Sequence, residues 1–393
     1  MEFIKRAWAE IDLDTALYNW NEIKKLANGR KIMPVVKADA YGHGANILAK
    51  LYEDNGADFF AVSNLNEAIK LRKCGIKKNI LIFGYTPLAH IKELVDFNIT
   101  QAVYCLDYAK QLSEVALKNN FAINTHIKLD TGMSRIGFDC RNDSLSGLSE
   151  VIQCLSLPSL NFNGIFTHFS SADSYDFDDV NFTEKQYSLF KKAVDSLKKS
   201  GFDFEYIHCS NSAGSALRGS GYGNLIRPGI ILYGLPPASG LDIGYAPKQV
   251  MSIKSVVSMV KEIDEGDSVS YGRIFTAAKK MRVATIPIGY ADGYPRVLSN
   301  QGKVIINGQF APIIGRICMD QMTVDVSNIE NVNIGIEVTV IGQDGNLSIS
   351  FDDIADICGT ISYEIMCDIS VRMPRVYIKD DKTIDAVYLG GAI

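Results

Sequence analysis

The feature that most limits the fold is the alternation of short apolar segments with helical segments between residues 14 and about 240. Strands are predicted at 32–36, 59–62, 79–83, 101–104, 122–129, 162–167, 204–208 and 229–233. Helical spacing of apolar residues lies between them, for example over His43–Asn55, and the pair Asn64 and Glu67 predicts a helix start. Strands joined by crossover helices run parallel in one sheet. About eight such units predict a (β/α)8 barrel, although the pattern alone leaves a doubly wound sheet open.

A different pattern begins after about residue 245, where predicted strands follow one another without long helices. These strands cover 251–263, 282–287, 302–306, 309–314, 323–326 and 337–341. Turn signals such as Asn307-Gly308 and Asp344-Gly345 separate them. We therefore predict a second, antiparallel β domain, with a domain boundary near residue 240.

Composition excludes several classes of function. The chain has 40 Lys and Arg against 45 Asp and Glu, and the resulting net charge of −5 does not suit a nucleic-acid surface. No apolar run approaches the ~18 residues of a membrane span, and the first residues lack the apolar stretch of a signal peptide. Eight cysteines without a Cys-x-x-Cys pair and five histidines without paired spacing predict no metal site. We expect a cytoplasmic protein that binds neither nucleic acid nor membrane.

The segment Val35–Gly44 carries the most specific chemistry. Lys37 directly follows a predicted buried strand, and burial disfavours the charged ammonium form, so that the amine can become a nucleophile that adds to an aldehyde. Tyr41, Gly42 and Gly44 follow in a loop that can approach a phosphate. A lysine at a strand end is otherwise more often an ordinary surface residue, and Lys37 alone does not decide between these interpretations.

The whole segment resembles the cofactor-lysine motif of alanine racemases, and the resemblance continues along nearly the entire chain. Further blocks match the family in order and spacing: 127–137, Thr167-His168, 208–212, 227–230, Tyr233-Gly234, 270–273, 288–294, 315–321 and 362–364. Each short block could arise by chance, whereas the ordered set could hardly do so. The chain is identified on these motifs as a member of the alanine racemase family.

This resemblance implies an N-terminal (β/α)8 barrel over 14–240 and a C-terminal antiparallel β domain over 241–393. It also implies that residues 1–13, including a strand over about Lys5 to Leu13, belong to the β domain. Members of the family act as head-to-tail homodimers with shared active sites. They interconvert L- and D-alanine, a small-molecule amino acid, and supply D-alanine for peptidoglycan.

The cofactor that the resemblance implies is pyridoxal 5′-phosphate, which Lys37 holds covalently. The phosphate-binding positions of the family fall on Tyr41, Ser212, Gly229, Ile230 and Tyr363. Arg227 matches the residue that faces the pyridine nitrogen, and His168 matches a residue near the cofactor and the essential tyrosine. Hydroxyl and backbone N–H donors can bind a phosphate without a full countercharge. Because arginine stays protonated, Arg227 can only donate to an unprotonated ring nitrogen, which suits rapid reprotonation.

The resemblance assigns catalysis to two bases, Lys37 on one face of the substrate and Tyr271 on the other. Arg135 and a backbone contact of Met319 match the ligands of the substrate carboxylate. Lys128 matches a lysine that many members carry in carbamylated form, and Tyr290 matches a gatekeeping position at the entrance. Ser134 departs from the glycine that is frequent at this position, which affects the expected substrate preference rather than the reaction class.

Three alternatives remain at this point. The first is a serine racemase or a broader-specificity amino acid racemase of the same family. The second is an amino acid decarboxylase on the same architecture, which would not need the block Ser270-Tyr271-Gly272. The third is a non-enzymatic carrier of pyridoxal phosphate, which would resemble the barrel only.

Overall fold

The computed structural model of the chain describes residues 3–217, 223–238 and 240–388. Contacts divide these residues into two compact units. The barrel unit comprises Leu17–Ala40 and Ala45–Pro247, and the β unit comprises the described residues up to Ala16, Tyr41–Gly44, and those from Lys248 onward. We retain 14–240 and 241–393, with 1–13, as proposed domain boundaries.

The elements up to residue 247 alternate between strands and helices. Strands are β1 (Ala7–Asp12), β2 (Lys31–Ile32), β3 (Phe59–Val62), β4 (Asn79–Ile82), β5 (Thr100–Val103), β6 (Ile123–Asp130), β7 (Phe138–Asp139), β8 (Leu160–Phe166), β9 (Tyr206–His208) and β10 (Leu225–Ile226). Helices are α1 (Leu13–Ala27), α2 (Ala45–Asp54), α3 (Leu65–Lys73), α4 (Ile91–Asp96), α5 (Leu106–Lys118), α6 (Leu148–Leu155), α7 (Phe177–Lys199) and α8 (Ser212–Leu217). The predicted start of α3 is confirmed, because the Asn64 side chain accepts from the Glu67 backbone N–H.

Eight parallel strands form the barrel unit and confirm the predicted fold. Strands β3, β4, β5, β6, β8 and β9 pair in that order, and β10 pairs in parallel with β2. A parallel bridge between Val35 and Ala61 joins the β2 segment to β3, and the Asn224 N–H donates to the Ile207 carbonyl beside β9. The hydrogen bonds thus run round a closed ring. All four residues of β3 are buried, as expected where helices cover one face of a strand and the barrel interior the other.

Two predicted strands of the barrel unit are wrong in position or extent. The segment 229–233 is not a strand but contains a buried 3₁₀ helix over Ile230–Tyr233, and the eighth strand is β10. Periodicity cannot separate a short apolar helix from a buried strand when every residue is buried. The segment 32–36 pairs as a regular strand only at β2, with the isolated bridge at Val35.

The β unit contains the remaining elements. Strands are β11 (Met251–Val256), β12 (Met259–Ile263), β13 (Ser268–Val269), β14 (Phe275–Thr276), β15 (Met281–Ile286), β16 (Lys303–Ile306), β17 (Gln309–Ile314), β18 (Met322–Asp325), β19 (Glu337–Asp344), β20 (Leu347–Ile349), β21 (Arg375–Lys379) and β22 (Lys382–Val387). Helices are α9 (Phe351–Cys358) and α10 (Ser362–Asp368), and 3₁₀ turns include Tyr271–Arg273 and Tyr290–Asp292.

One large, mainly antiparallel sheet organises the β unit. Its order is β12-β15-β18-β17-β16-β19-β11-β1-β21-β22, with β20 on β19. The N-terminal strand β1 lies inside this sheet, antiparallel to β11 and parallel to β21. The predicted single strand over 251–263 is wrong, because the chain changes partners: β11 pairs with β19, whereas β12 pairs with β15.

Within the described ranges, the helices are all too short or too polar to cross a membrane.

Candidate active site

Most of the barrel residues that the sequence singles out follow the carboxyl ends of parallel strands. Lys37 follows the β2 segment, His168 follows β8, Ser212 follows β9, and Arg227 and Gly229 follow β10. Parallel strands present these ends on one face of a barrel, which is where active sites of this architecture lie. The barrel unit thus presents five of the predicted site residues at the carboxyl ends of its strands.

An unusual backbone turn follows Lys37. Ala38, Asp39 and Ala40 have φ values of 50°, 52° and 56°, a left-handed conformation that costs L-residues about 1–2 kcal/mol each. Glu67 accepts from the Ala38 N–H at 2.8 Å, and Asp39 accepts from the Ala45 N–H at 3.0 Å. Tertiary contacts therefore hold the turn that orients Lys37. Sequence reasoning missed it, because no glycine occurs between residues 37 and 41.

Arg227 is a buried cation whose hydrogen-bond acceptors in the structure are uncharged. Its guanidinium donates to the carbonyls of Thr167 and Cys209 at 2.8 and 3.1 Å. It also faces the Nδ1 atoms of His208, at 2.9 Å, and His168, at 3.3 Å. Burial lowers the pKa of Arg227 to about 10, and the side chain therefore stays charged at neutral pH. Arg227 therefore supplies a fixed, positively charged hydrogen-bond donor, and it does not transfer its proton.

Lys128 is buried among like charges. Its Nζ lies 4.9 Å from the centroid of the Phe166 ring. Burial, and then the charges of Arg227 and Arg135, hold the pKa of Lys128 well below its usual range. Lys128 therefore tends toward the neutral amine, a form that can act as a nucleophile.

The loop before Arg135 is shaped by the carboxylate of Asp130. That carboxylate accepts from the backbone N–H groups of Gly132 and Ser134, each at 3.0 Å. Ser134 adopts a left-handed φ of 56°, a conformation that glycine adopts more readily. The Asp130 carboxylate thus holds the backbone of Ser134 in this conformation, and both Ser134 and Arg135 are exposed.

Ser212 and Gly229 are joined directly. The Gly229 N–H donates to Ser212 Oγ at 2.8 Å, and Ile230, the next residue along the chain, is fully buried. Because Ser212 Oγ accepts this bond, its own proton can be donated to an anion.

In the β unit, the segment Tyr41–Gly44 is bound closely by α10 and β21. Arg375 Nε donates to the Gly42 carbonyl at 2.8 Å, and the Tyr377 hydroxyl donates to the His43 carbonyl at 3.1 Å. A Cβ on Gly42 would lie 2.6 Å from a backbone oxygen of α10, so only glycine fits there. Tyr41 itself is buried, with its ring 6.0 Å from that of Tyr363. Burial raises the pKa of the Tyr41 phenol, which therefore remains a hydrogen-bond donor.

Tyr271 lies in a strained turn of the β unit and is 70% exposed. Ser270 before it has φ 65° and ψ −174°, and Gly272 after it has φ 72°. The Ser270 hydroxyl donates to the Arg316 carbonyl at 2.6 Å and lies 3.3 Å from Cys318 Sγ. The turn thus leaves the phenol exposed, next to a serine whose side chain is held by its neighbours.

Tyr290 and Met319 are held together through backbone hydrogen bonds in the β unit. The Tyr290 N–H donates to the Cys318 carbonyl at 3.1 Å, and the Ala291 N–H donates to the Met319 carbonyl at 3.0 Å. The two side chains are 42% and 52% exposed. The β unit therefore exposes three of the predicted site residues: Tyr271, Tyr290 and Met319.

Two residues that contact the site were missed by the sequence analysis. His208, in β9, binds Arg227 directly, and His126, in β6, lies 3.0 Å from His208 between ring nitrogens. The sequence shows no paired spacing, because 82 positions separate the two histidines. The available signal was a histidine inside each of two strands that are predicted for the barrel.

Comparison with known families accounts for nearly the whole chain. The family model described as "Alanine racemase, N-terminal domain" matches residues 11–237, and "Alanine racemase, C-terminal domain" matches residues 250–377. A protein named alanine racemase from Clostridium tetani is 43% identical over 383 residues, with 97% of each chain covered.

Solved structures agree with the sequence matches. The alanine racemase of Clostridium difficile 630 superposes with a TM-score of 0.92 at 36% identity, covering 99% of this chain and 100% of that one. The alanine racemase of Bacillus anthracis with bound L-Ala-P superposes with a TM-score of 0.91 at 32% identity, covering 99% of each chain. Because both domains match over their length, this chain belongs to the alanine racemase family.

Proposed function

We propose that the chain interconverts L- and D-alanine with pyridoxal 5′-phosphate as its cofactor, using Lys37 and Tyr271 as two bases. The observation that carries the proposal is the buried, charged Arg227 with uncharged acceptors around it. A permanently charged donor suits a ring nitrogen that stays unprotonated, and such a ring favours rapid return of the proton to Cα. The match of both family domains supports the racemase over a carrier that resembles only the barrel.

The donor set fits pyridoxal phosphate. Ser212 has a proton to donate to a phosphate oxygen, and the resemblance adds Tyr41, Gly229, Ile230 and Tyr363 to the phosphate-binding residues. Lys37 supplies the amine that bonds to the aldehyde carbon. When bound, the cofactor supplies a conjugated system that accepts the electron pair left on the substrate when its α-proton is removed.

The residues of this chain then divide the remaining work. Arg135 and the Met319 backbone bind the substrate carboxylate, which fixes the α-proton between two bases. We assign the proton of D-alanine to Lys37 Nζ and the proton of L-alanine to the Tyr271 hydroxyl oxygen, as the resemblance implies. The neutral imidazole of His168, whose pKa is held well below its usual range by burial and by Arg227, accepts a hydrogen bond without adding charge.

Lys128 has the environment that carbamylation requires. A neutral amine adds to the carbon of CO2 and loses one proton. The product is a carbamate anion, whereas an unmodified lysine ordinarily carries a positive charge. The low pKa of Lys128 supports this step, and the resulting anion would pair with Arg135, one of the two arginines whose charges act on it. We propose this modification as the support of Arg135.

The exposed residues of the β unit support a homodimer with shared sites. Tyr271, Tyr290 and Met319 are large and exposed, and a second copy of the chain would shield a base that must work away from bulk water. Tyr290 then lies at the entrance. We further propose that the enzyme is cytoplasmic and that its D-alanine serves peptidoglycan synthesis. A preference for serine, or broader specificity, is the alternative that Ser134 keeps open.

The function is tested with purified enzyme, pyridoxal phosphate and a panel of L-amino acids that includes serine. We expect D-alanine to form fastest from L-alanine, and borohydride to fix the cofactor within residues 35–44. A faster reaction with serine would favour the alternative, and no racemisation of any amino acid would contradict the proposal.

The two-base assignment is tested with Tyr271→Phe in deuterated water. Removal of a general base costs typically about 10²–10⁴-fold, and we expect racemisation to fall in that range. Exchange of the α-proton of D-alanine, which depends on Lys37, should survive far better than exchange from L-alanine. Tyr18→Phe, which removes the hydroxyl of a half-buried tyrosine in α1, is the matched control and should leave both exchanges unchanged. Equal loss of both exchanges would refute the assignment.

A further inference from the structure

A continuous chain of polar side chains crosses the interior of the barrel unit behind Arg227. Arg227 Nη1 lies 2.9 Å from His208 Nδ1, and His208 Nε2 lies 3.0 Å from His126 Nδ1. Both histidines are fully buried and Arg227 is almost so. The family motifs account for Arg227, but they assign no role to His126.

The hydrogen-bond donors of this chain can be deduced from chemistry. A guanidinium carries only donors, so His208 Nδ1 must accept, and the proton of neutral His208 lies on Nε2. That proton is donated to His126 Nδ1, which places the proton of His126 on its own Nε2. Burial and the charge of Arg227 lower the pKa of His126 to about 3 and that of His208 well below its usual range, so both rings are neutral. Each tautomer is thus determined by the charge at one end.

The strands around His126 are shaped to hold its ring. The pairing of β6 with β8 shifts register here, because Thr125 pairs with Phe162 while His126 pairs with Gly164. A Cβ on Gly164 would lie 2.5 Å from three atoms of the imidazole, so the ring occupies the space that a side chain would fill. The rings of Phe59 and Tyr206 pack on the same imidazole, with centroids 5.5 and 5.6 Å away.

Folding stability alone does not explain a histidine at this position. Its Nε2 is buried and has no hydrogen-bond partner among the described residues. A buried donor without a partner destabilises the folded state, and an apolar ring of similar shape would avoid that penalty. His126 does make a polar contact through its other ring nitrogen, because its Nδ1 accepts a hydrogen bond from His208 Nε2.

We propose that His126 is a positioning residue for the racemase reaction, an inference that rests on the proposed function. By accepting from His208 Nε2, it keeps His208 in the tautomer whose Nδ1 accepts from Arg227. This holds the guanidinium in one orientation toward the cofactor nitrogen. Without the acceptor, His208 can move its proton to Nδ1, which then repels the guanidinium instead of accepting from it.

Three variants of the holoenzyme separate this role from packing. His126→Phe keeps a ring but removes both the acceptor and the unpaired donor, and His126→Asn keeps an acceptor at the position of Nδ1. Tyr206→Phe is the matched control, because it alters a residue whose ring stacks on His126 and leaves Arg227, His208 and His126 unchanged. We measure kcat and KM for alanine together with the thermal unfolding midpoint.

We expect His126→Phe to lower kcat by about 10- to 100-fold, the range seen when a residue behind a metal-ligating histidine is removed. KM should change little, and the unfolding midpoint should stay equal or rise. His126→Asn should recover most of the lost kcat, and Tyr206→Phe should retain wild-type kcat. A fall in stability with unchanged kcat for His126→Phe, or an Asn variant as slow as the Phe variant, would overturn the proposal.

Nitrogen-15 NMR of the histidine side chains tests the chain without any activity measurement. In the wild type, His126 and His208 should both be protonated on Nε2 and should not titrate between about pH 5.5 and 8, since both pKa values are depressed by burial. In His126→Phe, the signal of His208 should shift toward the other tautomer. A proton on Nδ1 of either wild-type ring would refute the inference. If the wild type failed to racemise alanine, the proposed function would fall while this measurement still decided the tautomers.

Discussion

At the scale of single residues, the site is defined by which groups lose their charge and which keep it. Arg227 remains a cation in the barrel interior, whereas Lys128, His168 and His208 beside it are driven toward their neutral forms. Desolvation is the largest cause in each case, and the charge of Arg227 acts in the same direction on the other three. Burial thus drives these neighbours toward their neutral forms, and the charge of Arg227 reinforces that effect.

The buried histidines predict a specific dependence of stability on pH. An unfolded histidine has a pKa of about 6.5, whereas folded His126 has a pKa of about 3 and folded His208 one well below the usual range. Below pH 6.5 the unfolded state therefore binds protons that the folded state does not. The contribution of these histidines to the free energy of unfolding is therefore complete above this pH. It is lost as the pH drops, by about 1.4 kcal/mol per pH unit for each histidine.

Denaturant unfolding between pH 5 and 8 measures this slope. We expect His126→Asn to reduce the slope below pH 6 by about 1.4 kcal/mol per pH unit, because one imidazole that stays neutral in the folded protein is gone. Tyr206→Phe should leave the slope at its wild-type value. An identical slope in the wild type and His126→Asn would show that His126 is protonated in the folded protein.

At the scale of elements, the register shift between β6 and β8 is the feature that admits a polar ring to the barrel interior. Regular pairing from Thr125 to His126 would have placed Asn163 opposite the ring, but the shift places Gly164 there. Because Gly164 has no side chain, the imidazole can lie against the backbone of β8. A β-bulge often has this role beside active sites, where it redirects a side chain.

Gly164→Ala should destabilise the protein through this contact. The new methyl group would lie 2.5 Å from the His126 ring, and overpacking of a buried site costs about 1–3 kcal/mol. The free energy of unfolding is compared for Gly164→Ala in the wild type and in a His126→Ala background. In the second background the cost should largely disappear, because the clashing ring is absent. Equal costs in the two backgrounds would place the strain elsewhere.

At the scale of the whole molecule, the proposed homodimer predicts complementation between inactive chains. Lys37→Ala and Tyr271→Phe each remove one base, and both homodimers should be nearly inactive. If Lys37 of one chain works with Tyr271 of the other, a mixed dimer contains one intact site and one doubly defective site. Random mixing makes about half of the dimers mixed, so about a quarter of the wild-type activity should return.

Activity is followed after the two variants are mixed under conditions that exchange subunits, with exchange verified by a mass-tagged chain. A mixture of Lys37→Ala with Lys37→Ala/Tyr271→Phe is the control and should recover nothing. Verified exchange without recovery of activity would mean that each site uses residues of a single chain.

The order of elements could be predicted from the sequence because it depends on local patterns, and the reaction class because an ordered set of motifs resembles one family. A continuous apolar run predicted β3 over 59–62, and the turn signal Asn307-Gly308 separated β17 over 309–314 from the strand before it, each with the bounds that the structure has. Local patterns failed where burial made a helix resemble a strand, at 229–233, and where a strand changed neighbours, near Ser258. The left-handed turn after Lys37 was also missed, because contacts from Glu67 and Asp39 rather than glycine residues hold it.

The sequence by itself determined which chemical groups are available: an amine at Lys37, a phenol at Tyr271 and a guanidinium at Arg227, each within a motif of recognisable spacing. Only the tertiary structure decided the state of those groups and their supports. His126 and His208 meet across 82 positions because β6 and β9 flank β8 in the barrel. Their neutrality, their tautomers and the low pKa of Lys128 follow from desolvation and from the nearby charge of Arg227. Both causes depend on distances in space, which the order of residues along the chain does not specify.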